Sequence, residues 1–290
     1  MGITFIWFLT KRIPKLLTLV FNIIVVFLTI FLLVGCYNTS MESTYLVRYE
    51  FNKDSSFYPV ITNSFKGSNN TAGLESLKII SGYMGVCVKN VPSGYKISNQ
   101  EVASVCYPRK NLTSVPLYSD VAVEVFNKNS AAGSTPSTLN ILKLAELTSV
   151  NVIHPYILMA TVILSIIQIL TLVYLAIPHI PLKDVIVKFV LILSLVLDLI
   201  WGMGAIWTHI GIHASYRLVP AASMGIIKVH KGRKGAAMSW TAFVFLLLIS
   251  IILWLHEWKK VREQLADAEP ITNTSHKYYS SESSSFASKV

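Results

Sequence analysis

Four long apolar segments, residues 16–35, 156–177, 189–210 and 240–255, constrain this chain more than any other feature. A helix rises about 1.5 Å per residue, so roughly 20 apolar residues cross the ~30 Å hydrocarbon core of a bilayer. Lipid offers the backbone no hydrogen-bond partners, and uninterrupted apolar runs satisfy their own amides only as helices. A buried core helix of a soluble protein is the other reading of one such run. Four of them, in a chain 53% hydrophobic and only 14% charged, set that reading aside. The pattern predicts a multi-pass tetraspan with most of its soluble mass in residues 36–155.

Charge placement suggests an orientation. Lys11, Arg12 and Lys15 precede the first span, which puts residues 1–15 in the cytoplasm by the positive-inside rule. Four spans then return residues 256–290 to the cytoplasm, with Lys259, Lys260 and Arg262 just past the fourth. The short turn 178–188 is cytoplasmic, and residues 36–155 and 211–239 are extracellular. The second outer loop runs against the rule, because Arg217, Lys228, Lys231, Arg233 and Lys234 all fall in it. It is either a basic binding surface or a solvated run of charge. The net charge of +10 gathers beside the spans, so lipid head groups explain it better than nucleic acid does. The first apolar segment is too long for the core of a cleaved signal peptide and reads as a retained anchor. Leu33-Val34-Gly35-Cys36 imitates a lipoprotein cleavage motif, but three more spans follow it.

Within 36–155, Tyr45, Val47, Tyr49 and Phe51 alternate with Leu46, Arg48 and Glu50, the period of a half-buried strand. Residues 52–74 are rich in Ser, Asn and Gly and read as a mobile connection. Leu77–Val88, interrupted by Gly82 and Gly85, and Ala103–Tyr107 are further strand candidates. They carry Cys87 and Cys106, joined through a long turn containing Pro92-Ser93-Gly94. A disulfide between them would pin a sheet too small to hold itself, in a compartment that permits it. Two buried free thiols are the alternative. Cys36 is left unpaired. Ser137–Ile153 reads as a helix leading into the second span. Asn69 and Asn111 head glycosylation triplets in this loop, Asn38 lies too near the membrane, and Asn273 falls in the tail.

Three blocks carry a family resemblance: Leu33-Val34-Gly35-Cys36, Gly82-Tyr83-Met84-Gly85-Val86-Cys87 with Cys106 beyond it, and Lys231-Gly232-Arg233-Lys234 leading to Ser239-Trp240-Thr241-Ala242-Phe243. The chain resembles the fungal factor-induced mating protein family, claudin-like tetraspans linked to calcium influx and mating-cell fusion. The resemblance implies a mainly α membrane protein: a claudin-like four-helix transmembrane bundle with a small disulfide-pinned extracellular β-sheet. It places Gly82, Tyr83, Gly85, Cys87 and Cys106 in the family motif. It also implies promotion of low-affinity calcium influx and membrane fusion at the plasma membrane, with calcium-channel or fusion-machinery proteins, or further copies of the chain, as partners. Tyr83 and Met84 stand where the wider claudin pattern has Leu-Trp, so a junction-sealing role does not carry over. An eisosome-type organiser of plasma-membrane domains shares the layout and is the alternative.

Among single residues, Asp198 stands out near the middle of the third span. An ionised group at that depth costs about 2.5–3.5 kcal/mol on insertion scales and turns toward protein or water. Asp198, Gly202, Ala205 and His209 share one helical stripe, the small residues allow a close neighbour, and Gln168 at similar depth is the expected partner. An interhelical clamp is preferred to an ion pathway. His209 and His213 have the i, i+4 spacing of metal ligands, but two ligands close no site. No nucleophile elbow, zinc-protease helix, phosphate-binding glycine loop or EF-hand spacing is present, so no enzyme and no cofactor is expected. The serine-rich tail end, Ser280–Ser285, is low-complexity.

Overall fold

A computed structural model describes residues 2–66, 71–92, 95–97, 100–101, 103–126, 137–152, 154–177 and 182–283. Helix α1 (Gly2–Val34) leads to strand β1 (Val47–Phe51), helix α2 (Tyr58–Lys66) and strands β2 (Lys78–Ser81) and β3 (Gly85–Lys89). Strands β4 (Lys96–Ile97), β5 (Gln100–Glu101) and β6 (Ser104–Pro108), helix α3 (Pro116–Asp120), and strands β7 (Ala122–Phe126) and β8 (Ser137–Asn140) follow. Helix α4 (Ile141–Leu147) then runs through a wider helical turn, Thr148–Val152, toward α5 (Pro155–Ala176). Helix α6 (Lys183–Ala222), strand β9 (Ile227–Lys231) and helix α7 (Arg233–Ser283) complete the order.

Among the described residues four helices are long and apolar enough to cross a membrane, within Ile13–Val34, Pro155–Ala176, Lys183–Ala222 and Arg233–Ala266. They stand as a four-cornered bundle in which α1 and α6 each pack against both α5 and α7. Val25, Leu158, Leu197, Trp201, Leu246 and Ile249 fill its interior, none more than 1% exposed. Phe27, Leu170, Leu199, Met203 and Ile251 point outward, as helices in lipid require.

The loop end of the bundle carries a five-stranded antiparallel sheet in the order β6-β3-β2-β1-β9. Cys87 of β3 lies opposite Cys106 of β6, and the two sulfurs are bonded. Val47, Tyr49 and Phe51 alternate inward as the period-2 pattern predicts. Strand β9, from the second connection, pairs with β1 from Val47↔Lys231 to Phe51↔Ile227. Both large connections therefore sit at the same end of the bundle.

The secondary structure differs from the sequence reading in several places, each for a packing reason. Within 52–74, a helix forms because Ile61 and Phe65, four apart, are both buried, with the Phe65 ring edge-on to Phe51. Leu77–Val88 is two strands, folded back where Gly82 donates its amide to the Gly85 carbonyl at 2.9 Å. Residues 137–140 extend along β7, and Asn140 caps α4 through the Leu142 and Lys143 amides. The third apolar segment continues as helix to Ala222. At about 1.5 Å per residue its 40 residues span about 60 Å, twice the hydrocarbon thickness, so its last turns belong to the sheet end.

Candidate functional site at the junction of bundle and sheet

The three blocks quoted from the sequence meet at one place. Helix α1 is followed by Gly35-Cys36, where Cys36 takes a left-handed backbone (φ 62°) that turns the chain back toward the sheet. The Gly82–Gly85 turn rests on that corner. A Cβ on Gly82 would overlap the Gly35 carbonyl oxygen and lie 2.9 Å from the Cys36 Cβ. A Cβ on Gly85 would overlap the Cys36 carbonyl oxygen and lie 2.8 Å from that of Tyr107. Likewise Gly35 sits against the Thr44 carbonyl, and Gly232 of the third block against the Tyr45 carbonyl. These four positions have no room for a side chain because backbone meets backbone there.

Hydrogen bonds lock this junction of bundle and sheet. The Tyr83 hydroxyl lies 2.8 Å from Thr208 Oγ1 on α6, and Ser149 Oγ donates to the Gly82 carbonyl at 3.1 Å. The Gly232 amide donates to the Leu46 carbonyl at 2.8 Å, and Trp201 Nε1 donates to the Ser239 carbonyl at 3.2 Å. Tyr83 is 3% exposed, and burial pushes its hydroxyl up to about 12, so it stays a neutral donor or acceptor. Farther out, Tyr49 OH meets Thr148 Oγ1 at 2.5 Å, tying the sheet to the α4–α5 connection. The Cys36 thiol is free and buried; burial, opposed in part by Lys89, pushes it up to about 12. It is therefore a thiol at neutral pH, poorly suited to attack the adjacent disulfide. Lys89 pairs with Glu42 at 2.7 Å and ties β3 to the connection leaving α1.

A turn that reaches from a disulfide-pinned sheet to a membrane helix is a mechanical junction, and its residues are those that carry the family resemblance. Residues 64–258 match the family described as "Ca2+ regulator and membrane fusion protein Fig1". The Factor-induced gene 1 protein of Saccharomyces cerevisiae is 52% identical to the chain over 297 residues, covering 100% of this chain and 99% of that protein. The chain belongs to the Fig1 family. It is a multi-pass membrane protein of a family of calcium regulators and fusion proteins, and its claudin-like architecture is the one expected. In this Fig1 family member the motif residues Gly82, Tyr83, Gly85 and Cys87 are all buried. They seat the sheet on the bundle.

The intramembrane polar residues divide between two seams. Asp198 and Gln168 do not meet. Gln168, fully buried, accepts from Asn22 Nδ2 at 3.1 Å across α1 and α5, whereas Asp198 faces Ser250 across α6 and α7. The stripe through Asp198 looks toward α7, since a Cβ on Gly202 would lie 3.0 Å from the Phe243 ring. Asp198 Oδ1 and Ser250 Oγ on one seam, and Gln168 Nε2 and Asn22 Oδ1 on the other, are buried without hydrogen-bond partners. Asn22 carries a sequence signal of its own, a carboxamide amid an apolar span. Thr208 and Ser149, by contrast, carry no local signal at all. The His209 and His213 rings lie tilted against each other with centroids 4.3 Å apart, and His209 also packs edge-on to Trp240. Among the described residues no group of three potential metal ligands gathers. Asn69 lies outside the described residues, and Asn111 falls in a short helical turn, Arg109–Ser114.

Proposed function

We propose that the chain is a plasma-membrane tetraspan that promotes low-affinity calcium influx and cell–cell fusion during mating. The observation that carries this reading is the match of residues 64–258 to calcium regulators and fusion proteins, with the matched motif at the junction of sheet and bundle. Both termini are cytoplasmic, and residues 36–155 and 211–239 face outward. The β1–β9 ladder supports a common side for the two connections, because moving the basic loop across the membrane would break it.

The protein acts on calcium entry through its outer sheet and its neighbours, not by conducting through its own bundle and not by catalysis. The close-packed interior around Leu197, Trp201, Leu246 and Ile249 supports that reading. Calcium-channel or fusion-machinery proteins, and further copies of the chain, are the partners that the sheet would engage. The test is calcium uptake and fusion counts in mating cells with and without the protein. Uptake should fall in its absence. Unchanged uptake with disturbed membrane domains would instead favour the eisosome-type organiser.

A further inference from the structure

Away from that junction, at the opposite end of the bundle, residues of all four helices line a cavity of about 410 Å³. That volume falls in the range of small-molecule sites. Its deep wall is apolar: Leu172 of α5 and Val190 of α6 are buried, and Leu253 of α7 is half-buried. Its mouth is charged and more open, with Lys15 of α1, Lys183 of α6 and Lys260 of α7 around it. Asp184 and Glu257 also stand at the mouth, and both engage Lys260, at 3.3 and 3.8 Å. Lys183 makes no ion pair with a described residue. Each lysine rises from a different helix, and three lysines against the two carboxylates leave the mouth with an excess of one positive charge, carried nearest Lys183, whose ammonium is in none of these pairs.

We propose that this cavity binds an anionic phospholipid, with its phosphate between Lys15, Lys183 and Lys260 and an acyl chain against Leu172, Val190 and Leu253. Apolar depth beneath a basic rim at a bilayer boundary matches a lipid, which presents the same sequence of chemistry along its own length. Basic pockets between membrane helices recognise anionic head groups in this way. A soluble anion would use the rim and leave the wall without a function. By the orientation proposed above this mouth faces the cytoplasmic leaflet; binding itself does not depend on that orientation, so the two fail separately.

The test uses the full chain in nanodiscs of phosphatidylcholine containing a minor fraction of phosphatidylserine, with a photoactivatable phosphatidylserine as probe. Labelling should map to residues around the cavity. Lys183→Ala should weaken it about fivefold, the effect of one lysine near an anionic surface. Leu172→Trp, which fills the wall and leaves every charge in place, should also weaken it, and Lys228→Ala at the far end should not. Labelling that survives Leu172→Trp while falling in Lys183→Ala would show surface electrostatics alone and overturn the site. Equal competition by glycerophosphoserine, which lacks acyl chains, would reassign it to a soluble anion. If Leu172→Trp fails to fold, Val187→Phe fills the same cavity from α6 and is read in the same way.

Discussion

Replacing Gly82 by alanine tests the junction most directly. The added methyl would overlap the Gly35 carbonyl oxygen, lie 3.0 Å from the Gly35 carbonyl carbon and 2.9 Å from the Cys36 Cβ. No rotamer relieves this, because two of the three atoms are backbone. The turn must move away from α1, yet it is held by the Gly82–Gly85 bond, by Ser149 and by Tyr83 on Thr208. Overpacking of this kind costs about 1–3 kcal/mol. At roughly 2–4 °C per kcal/mol for a chain of this size, the apparent melting temperature in detergent should drop by several degrees. Gly85→Ala meets the Cys36 carbonyl on the same corner, so the double variant should lose less than the sum of the two. Gly202→Ala is the contrast: its methyl meets only the Phe243 ring, which can turn, and should be milder. The assay pairs melting with calcium influx at matched surface abundance, and influx should fall with the junction. A Gly82→Ala protein that melts and supports influx like the parent would refute the close approach.

Further outcomes follow from the same geometry. Cys87→Ser and Cys106→Ser should each lose about 3 kcal/mol, the loop-closure contribution for a sequence separation of 19, and the double variant should be no worse than either single one; peptide mapping with both thiols free would defeat the pinned sheet. Tyr83→Phe should cost about 1–2 kcal/mol by stranding Thr208, and a cycle with Thr208→Val showing no coupling would sink the bond. Burial raises the Tyr83 hydroxyl from 10 to about 12, so its stabilisation is intact below pH 10 and lost as the pH climbs through 12; Tyr83→Phe should flatten that alkaline loss. Asp198→Asn should preserve assembly if Asp198 is a clamp, whereas Asp198→Leu should weaken the α6–α7 seam at Ser250; abolished influx in Asp198→Asn at normal surface level would favour a charge role. Cysteine labelling should find Lys231→Cys outside the cell, and reaction only from the cytoplasm would overturn the orientation.

The sequence alone determined the four membrane helices, because hydrocarbon imposes one local solution on every long apolar run. It also determined strand β1, whose alternation is local, and the resemblance placed Gly82, Gly85, Cys87 and Cys106 in the family motif. What it could not determine is which backbone each glycine meets. Gly35 and Gly82 lie far apart in the chain, and nothing local marks the Gly35 carbonyl as the reason that Gly82 lacks a side chain. Helix α2 was hidden for the same reason, since Ile61 and Phe65 stabilise it only when the sheet covers them. The neighbour of Asp198 depended on the rotation of α6, which faces the carboxyl toward Ser250 of α7 and away from Gln168 of α5. The basic stretch after α6 looked like a misplaced loop until its pairing with β1 placed it in the sheet. Local chemistry selects the elements, and long-range packing assigns their neighbours, because a hydrogen-bonded ladder or a close backbone contact is stabilised only once both of its sides are present.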